Sequence, residues 1–298
     1  MFDAVALRSG GSSAGAETTS AAPARDGDLQ RARGAARLVV SGSERGTRLV
    51  EVFQQSPLRI LFPRARGGSI QEAVLVNTSG GIAGGDRLDL VVEARVGASI
   101  TVTSQAAERV YRALNAPARV ATELKVRAGA KLGWLPQETI MFDGARLRRS
   151  TEIELSSGAE LLALEWLVLG RAAHGEEMLG GEITDAWRVS NDGRLIWADT
   201  FRAADEVFPR LRSRALLSDS RAIGTLVYFG PDIDAHLQLM CEHCPSLNCH
   251  CAATVVGGLL IARFAARASV DLKEGLRGLL KRFAQRCGSL RSPEMWSL

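Results

Sequence analysis

From Leu38 onward, apolar and polar residues alternate with a period of two. Ile100, Val102 and Ser104 alternate with Thr101, Thr103 and Gln105, and Leu124 and Val126 with Glu123, Lys125 and Arg127, as in strands with one buried face. Ser190-Asn191-Asp192-Gly193-Arg194 separates Ala186-Trp187-Arg188-Val189 from Leu195-Ile196-Trp197, and its Asp-Gly pair supplies the positive φ of a tight hairpin turn. The pattern also repeats. Thr122 to Leu132 aligns without gaps on Thr151 to Leu161, and Leu90 to Ile100 follows more loosely through Gly97-Ala98; each copy reads strand, Gly-Ala turn, strand. With Leu90, Thr122 and Thr151 equivalent, the copies lie 32 and then 29 residues apart, a spacing that suits hairpin-like units stacked as coils.

Helical periodicity is rare. Asp271 to Arg286 puts Leu272, Leu276, Leu279, Leu280 and Phe283 on one face, with an acid at its start and bases toward its end, as an amphipathic helix requires. A shorter helix is expected over Ile233 to Met240, and the spacing of Val110 and Leu114 predicts another short one over Ala106 to Leu114. The longest apolar stretch, Leu161 to Leu169, is interrupted by Glu165. The expected fold class is mainly β: layered or solenoid-like β-sheets with two principal helices, the longer one C-terminal.

Of the 298 residues, 46% are apolar and 23% charged, which excludes disorder as the main state. No apolar run reaches the roughly 18 residues of a membrane span. Met1 to Leu7 is too short for a secretory leader and carries Asp3, so a cytoplasmic location is expected. Residues 1–36, rich in Ala, Gly, Ser and Arg without an apolar period, read as a flexible low-complexity tail ahead of a single β domain over 37–298. Within that tail Gly11-Ser12-Ser13-Ala14-Gly15 matches G-x-S-x-G by chance, lacking the strand and helix that a nucleophile elbow needs. The net charge of +4 rests on 37 basic residues, of which 33 are scattered arginines. Arg146, Arg148 and Arg149 form the only tight group, so no phosphate-tracking surface for nucleic acid is indicated.

The densest signal is the strand-turn-strand segment from Val74 to Leu88, with Gly80, Gly81, Gly84 and Gly85 in six residues. It lacks the spacing, the lysine and the following helix of a phosphate cradle and reads as a glycine-kinked β-bend. Only His174, His236, His243 and His250 could serve as catalytic imidazoles, and His174-Gly-Glu-Glu-Met lacks the second histidine of a zinc-protease helix. The carboxylate pairs Glu138/Asp143 and Glu176/Glu177 keep open a carboxylate-dependent hydrolase or transferase on a layered β-fold. Cys241, His243, Cys244, Cys249, His250 and Cys251 gather four thiols and two imidazoles into eleven residues. They admit either a tetrahedral zinc or nickel site or reactive loop thiols, the spacing not being a standard zinc pattern.

Read together, Asn77 to Leu88, Thr101 to Gln105, Val110-Tyr111-Arg112, Trp134 to Phe142, Leu169-Gly170-Arg171, Gly175-Glu176 and Pro293 to Trp296 resemble the UreD (UreH) family of urease accessory proteins. The resemblance spans about residues 38 to 298 in consistent order. It implies a mostly β fold with two helices and a non-enzymatic scaffold that joins UreF and the GTPase UreG. That assembly would dock on the urease apoprotein and deliver nickel to its active site, GTP being hydrolysed by UreG. No intrinsic cofactor, nucleic-acid partner or membrane partner is implied. Under this resemblance Asp86, Glu138 and Glu176 become candidates to line a nickel path, because oxygen ligands favour the ion in transit. For Asp86 the competing role is structural, closing its turn by hydrogen bonds to the glycine amides.

Overall fold

The computed structural model describes residues 31–63, 70–287, Pro293 and Trp296. Its first half holds β1 (Arg33–Ser43), β2 (Gly46–Gln55), β3 (Leu58–Leu61), β4 (Glu72–Asn77), β5 (Arg87–Ala94), β6 (Ser99–Ser104), β7 (Glu108–Val110), β8 (Ala118–Val126) and β9 (Lys131–Leu135). Next come β10 (Thr139–Met141), β11 (Arg146–Leu155), β12 (Glu160–Leu169), β13 (Glu182–Asn191), β14 (Arg194–Ala204), α1 (Phe208–Leu211) and β15 (Ala222–Phe229). The chain then forms α2 (Ile233–His243), β16 (His250–Val256), β17 (Leu259–Ala266) and α3 (Ser269–Cys287). Residues 1–30 of the expected tail lie outside the described residues. Its last four, Arg33 to Ala36, belong to β1.

The strands form two sheets. One runs β14-β13-β11-β8-β5-β1-β2, and the other β16-β17-β15-β12-β9-β6-β4-β3, with β7 and β10 alongside β12. The sequence repeat is the rung of this stack. Leu90 pairs in parallel with Thr122 and Thr122 with Thr151 in the first sheet, while Ile100 pairs with Leu132 and Leu132 with Leu161 in the second. Each rung crosses between sheets at a glycine in the left-handed region, Gly97, Gly129 or Gly158, at φ 70, 66 and 76°. There a side chain would be strained. The Gly129 N–H donates to the Gly158 carbonyl at 3.0 Å, tying successive turns together.

Between the sheets lie Leu38, Val92, Leu124 and Ile153 from one side and Ile100, Leu132, Leu161 and Val227 from the other. The outer face of the second sheet is covered by α2 and α3. Leu272, Leu276, Leu279, Leu280 and Phe283 are at most 1% exposed and pack on Leu162, Leu164, Trp166 and Tyr228, each contributing about 1.5–3 kcal/mol of burial. Strand β12 is thus covered on both faces, which explains its unbroken apolar run. Leu162, Leu164 and Trp166 face the helices; the alternate positions, Glu165 among them, face inward. Trp296 donates from Nε1 to the Leu135 carbonyl at 2.9 Å and rests 6.1 Å from Trp166.

The hairpin turns at Asp192 and Gly193, with φ 48 and 78°. The helix expected over Ala106 to Leu114 does not form. Glu108–Val110 is strand β7, paired in parallel with β10, and its apparent period is accidental, since Val110 is buried and Leu114 is 77% exposed. Helix α2 runs on to His243, and α1 adds a four-residue turn of helix.

Candidate functional site

Four motif segments, far apart in the chain, meet through the glycine turn, Tyr111, Phe142 and the Arg171–Glu176 pair. Gly80 and Gly85 take φ 76 and 87°, and the Tyr111 hydroxyl donates to the Gly80 carbonyl at 2.7 Å. A Cβ at Gly81 would run into the Tyr111 ring, and one at Gly84 would lie 2.5 Å from the Ala113 Cβ and 2.7 Å from the Ala116 carbonyl. The glycines therefore permit close approach of the Tyr111–Ala116 loop, as a kinked β-bend does. Tyr111 meets Phe142 edge-on at 5.2 Å, the Arg171 guanidinium lies 4.2 Å over Phe142, and Arg171 donates to Glu176 at 2.6 Å.

The glycine turn also borders a cavity of about 290 Å³ between the sheets. Leu88, Leu90, Val120 and Leu147 wall it from the first sheet and Leu75 and Trp134 from the second, with Asn77, Glu108, Thr139, Arg149 and Glu165 as polar lining. Both Glu108 oxygens accept from Asn77 Nδ2 at 3.1 Å. Burial nevertheless pushes the Glu108 carboxyl up to about 7, against the pull of Asn77 and a backbone N–H.

At the inner end lies a buried ion group. Arg149, 7% exposed, donates to Asp185 from Nε at 2.8 Å and Nη2 at 2.7 Å, and from Nη1 to Thr139 at 3.2 Å. Its Nε is also 3.3 Å from Glu165 Oε2. Glu165 is 3% exposed, and its Oε1 accepts from Trp134 Nε1 at 2.8 Å and Thr151 at 3.0 Å. Burial raises the Glu165 carboxyl, opposed by Arg149. For Arg149 burial disfavours the charge, but Asp185 and then Glu165 outweigh it and leave the guanidinium more firmly protonated than usual.

Asp86 is a structural clasp. Its Oδ1 accepts the Ala32 N–H at 2.8 Å and its Oδ2 the Ala83 N–H at 2.7 Å. The carboxylate closes the turn, but its donors are the Ala32 and Ala83 amides rather than the expected glycine amides. Glu176 accepts the Asp143 N–H at 3.2 Å besides the Arg171 bond, and Arg171 holds its carboxyl below the usual range. Glu138, between Gln137 and Thr139 of the cavity wall, keeps Oε2 buried without a hydrogen-bond partner. Among the described residues no three His, Cys, Asp or Glu side chains are grouped to hold a metal ion, so Asp86, Glu138 and Glu176 form no common site. The four-thiol set at Cys241, Cys244, Cys249 and Cys251 does not form either. Cys244, just beyond α2, and Cys251 in β16 meet in a disulfide, leaving Cys241 exposed and Cys249 half-buried.

No sequence motif carries Glu108 or Asp185. Two signals pointed to this region: Glu165 breaking an apolar strand, and Arg149 within the one basic group.

A family profile described as UreD urease accessory protein matches residues 32–297. The urease accessory protein UreD of Chelativorans sp. is 38% identical over 270 residues, 91% of this chain and 95% of the relative. That of Xanthobacter autotrophicus is 41% identical over 265 residues, covering 89% and 91%. That of Rhizobium rhizogenes is 43% identical over 208 residues, covering 70% and 76%.

Proposed function

The chain belongs to the UreD family of urease accessory proteins, and from that premise we propose that it is a scaffold without catalytic turnover that brings nickel to the urease active site. In this reading it works in the cytoplasm with UreF and UreG on the urease apoprotein. GTP is hydrolysed by UreG, and nickel passes as cargo. The observation that carries the reading is the Glu108 carboxyl in the wall of a cavity between the sheets, beside the glycine turn through which the motif segments meet.

A carboxyl titrating near 7 exchanges a proton for a cation at little net cost, which suits a station that must release what it holds. Glu138, whose Oε2 is buried without a hydrogen-bond partner, lies between Gln137 and Thr139 of the same wall, and its backbone carbonyl accepts the Glu108 N–H at 2.8 Å. Asp86 and Glu176 support the path by fixing the turn and loop around it, their oxygens being engaged with backbone amides and Arg171. No helix among the described residues is long and apolar enough to cross a membrane.

The test is a Glu108→Gln, Glu138→Gln double variant, in which volume is kept and charge removed. It should co-purify with UreF, UreG and urease as the wild type does, while urease-bound nickel and urease activity both fall. Normal nickel loading by this variant would defeat the reading.

A further inference from the structure

A second cavity, of about 450 Å³, lies on the other side of the buried ions, walled by β12 to β17. Glu165 belongs to both walls; Arg149 shares the first cavity with it and Asp185 the second. The two spaces therefore face each other across three side chains, none more than 8% exposed. The first reaches solvent at Gly80, Gln105 and Arg109, and the second at Thr200, His250 and Arg263.

Polar side chains continue through this partition on neighbouring strands. Glu108 is the register partner of Thr139, and Thr139 accepts from Arg149. Beyond the ions, Glu165 pairs with Thr225 and Thr225 with Arg263, both on the wall of the second cavity. A partition needed only to fill space would be apolar, since replacing a buried ion group by packed hydrophobic side chains is often neutral or stabilising. The pairing is also uneven: one guanidinium faces two carboxyl groups and is bidentate to Asp185 alone. Glu165 Oε2 is buried and accepts no hydrogen bond, because the Arg149 Nε hydrogen is directed to Asp185 Oδ1 at 2.8 Å.

We propose that Arg149 is the gate of a cation route between the two cavities, and that a divalent cation crosses by taking the place of its guanidinium between Glu165 and Asp185. At rest the guanidinium occupies the crossing and repels cations. When it withdraws, the two carboxylates present oxygen ligands to the ion, with water completing the shell. The cargo being nickel rests on the function proposed above; the gate itself does not need urease to be tested.

The first measurement is equilibrium dialysis of NiCl₂ against the full-length chain, without urease. Arg149→Met removes the resident cation at similar length and should bind one Ni²⁺ at least tenfold more tightly than wild type. Adding Glu165→Gln and Asp185→Asn should abolish that gain. Arg149→Lys, which keeps a charge but not the two-pronged geometry, should give a smaller gain and replaces Arg149→Met if the latter does not fold. A folded Arg149 variant that binds nickel like wild type, or a gain that survives loss of both carboxylates, overturns the gate.

The second measurement uses the neutral Arg149→Met, Glu165→Gln, Asp185→Asn variant, which buries no ion at the crossing, in complex with UreF, UreG and urease. Its nickel loading should fall at least tenfold with assembly intact. Wild-type loading overturns the gate even if neither single Arg149 variant folds. If loading by the Glu108→Gln, Glu138→Gln variant is also normal, the function proposed above fails as well; if that variant loads poorly, only the gate is lost.

Discussion

Glu108→Gln keeps the shape of a side chain on the first cavity wall and removes its ionisation. In the wild type both Glu108 oxygens accept from Asn77 Nδ2 at 3.1 Å, and a glutamine Oε1 can go on accepting. Burial moves the Glu108 carboxyl from the ordinary 4.5 to about 7, so folding disfavours its charged form. The unfolded chain gives up this proton at lower pH than the folded one. Stability from this group is therefore full below about pH 4.5, falls as pH rises toward about 7, and levels off above it. At about 1.4 kcal/mol per pH decade the loss amounts to about 3 kcal/mol. The variant lacks this loss. Urea unfolding of both proteins between pH 5 and pH 8.5 should show the variant gaining on the wild type by about 2–3 kcal/mol as pH rises. A difference that does not change with pH, or a variant less stable at pH 8.5, would mean that the carboxyl is not held in a desolvated cavity and would remove the basis for its role as a proton-exchanging station.

Gly84→Val and Gly85→Val should each cost about 1–3 kcal/mol in urea unfolding, the first by crowding Ala113 and Ala116 and the second by its φ of 87°; two variants of wild-type stability would refute this. Asp86→Asn turns one oxygen that accepts a backbone N–H into a donor and should cost about 1–3 kcal/mol, while nickel loading per folded chain stays normal; a loading defect at full stability would restore Asp86 to the nickel path. Truncation after Ser269 uncovers Leu162, Leu164 and Trp166 on the second sheet and should abolish both solubility and co-purification with UreF; a soluble truncated chain that still captures UreF would contradict it.

The stacked rungs were legible because parallel pairing sets equivalent residues side by side. The sequence offsets from Leu90 to Thr122 and from Thr122 to Thr151 are the pairing registers themselves, and the Gly-Ala turns mark where each rung changes sheet. The helix α3 was legible from its five buried residues. A three-residue strand such as β7 holds too little of any period to be told from helix, and its identity comes from the partner β10. Asp86 carried both readings in sequence because a clasp and a ligand ask for the same carboxylate beside the same glycines; only the positions of the Ala32 and Ala83 amides separate them. The cysteine cluster suggested a metal through composition, whereas the close approach of Cys244 and Cys251 depends on how α2 leads into β16.

The ion group was harder to see for a reason built into the fold. Reading across the first sheet at one level gives Leu88, Val120, Arg149 and Asp185, each the register partner of the next. The level above gives Leu90, Thr122, Thr151 and Trp187. Rungs share a backbone path, so one interior row can change from apolar to ionic between two strands without disturbing the hydrogen-bonded ladder around it. The chemistry is therefore written across the strands, while a motif search reads along them. The third and fourth positions of that row belong to segments 36 residues apart, and extending the repeat one rung further, to β13, aligns them. Their placement between two cavities then follows from the same register, because the facing row of Glu165, Thr225 and Arg263 also runs across strands. A route that crosses a stack of rungs draws its polar groups from separate rungs, which is why no single stretch of this sequence displays it.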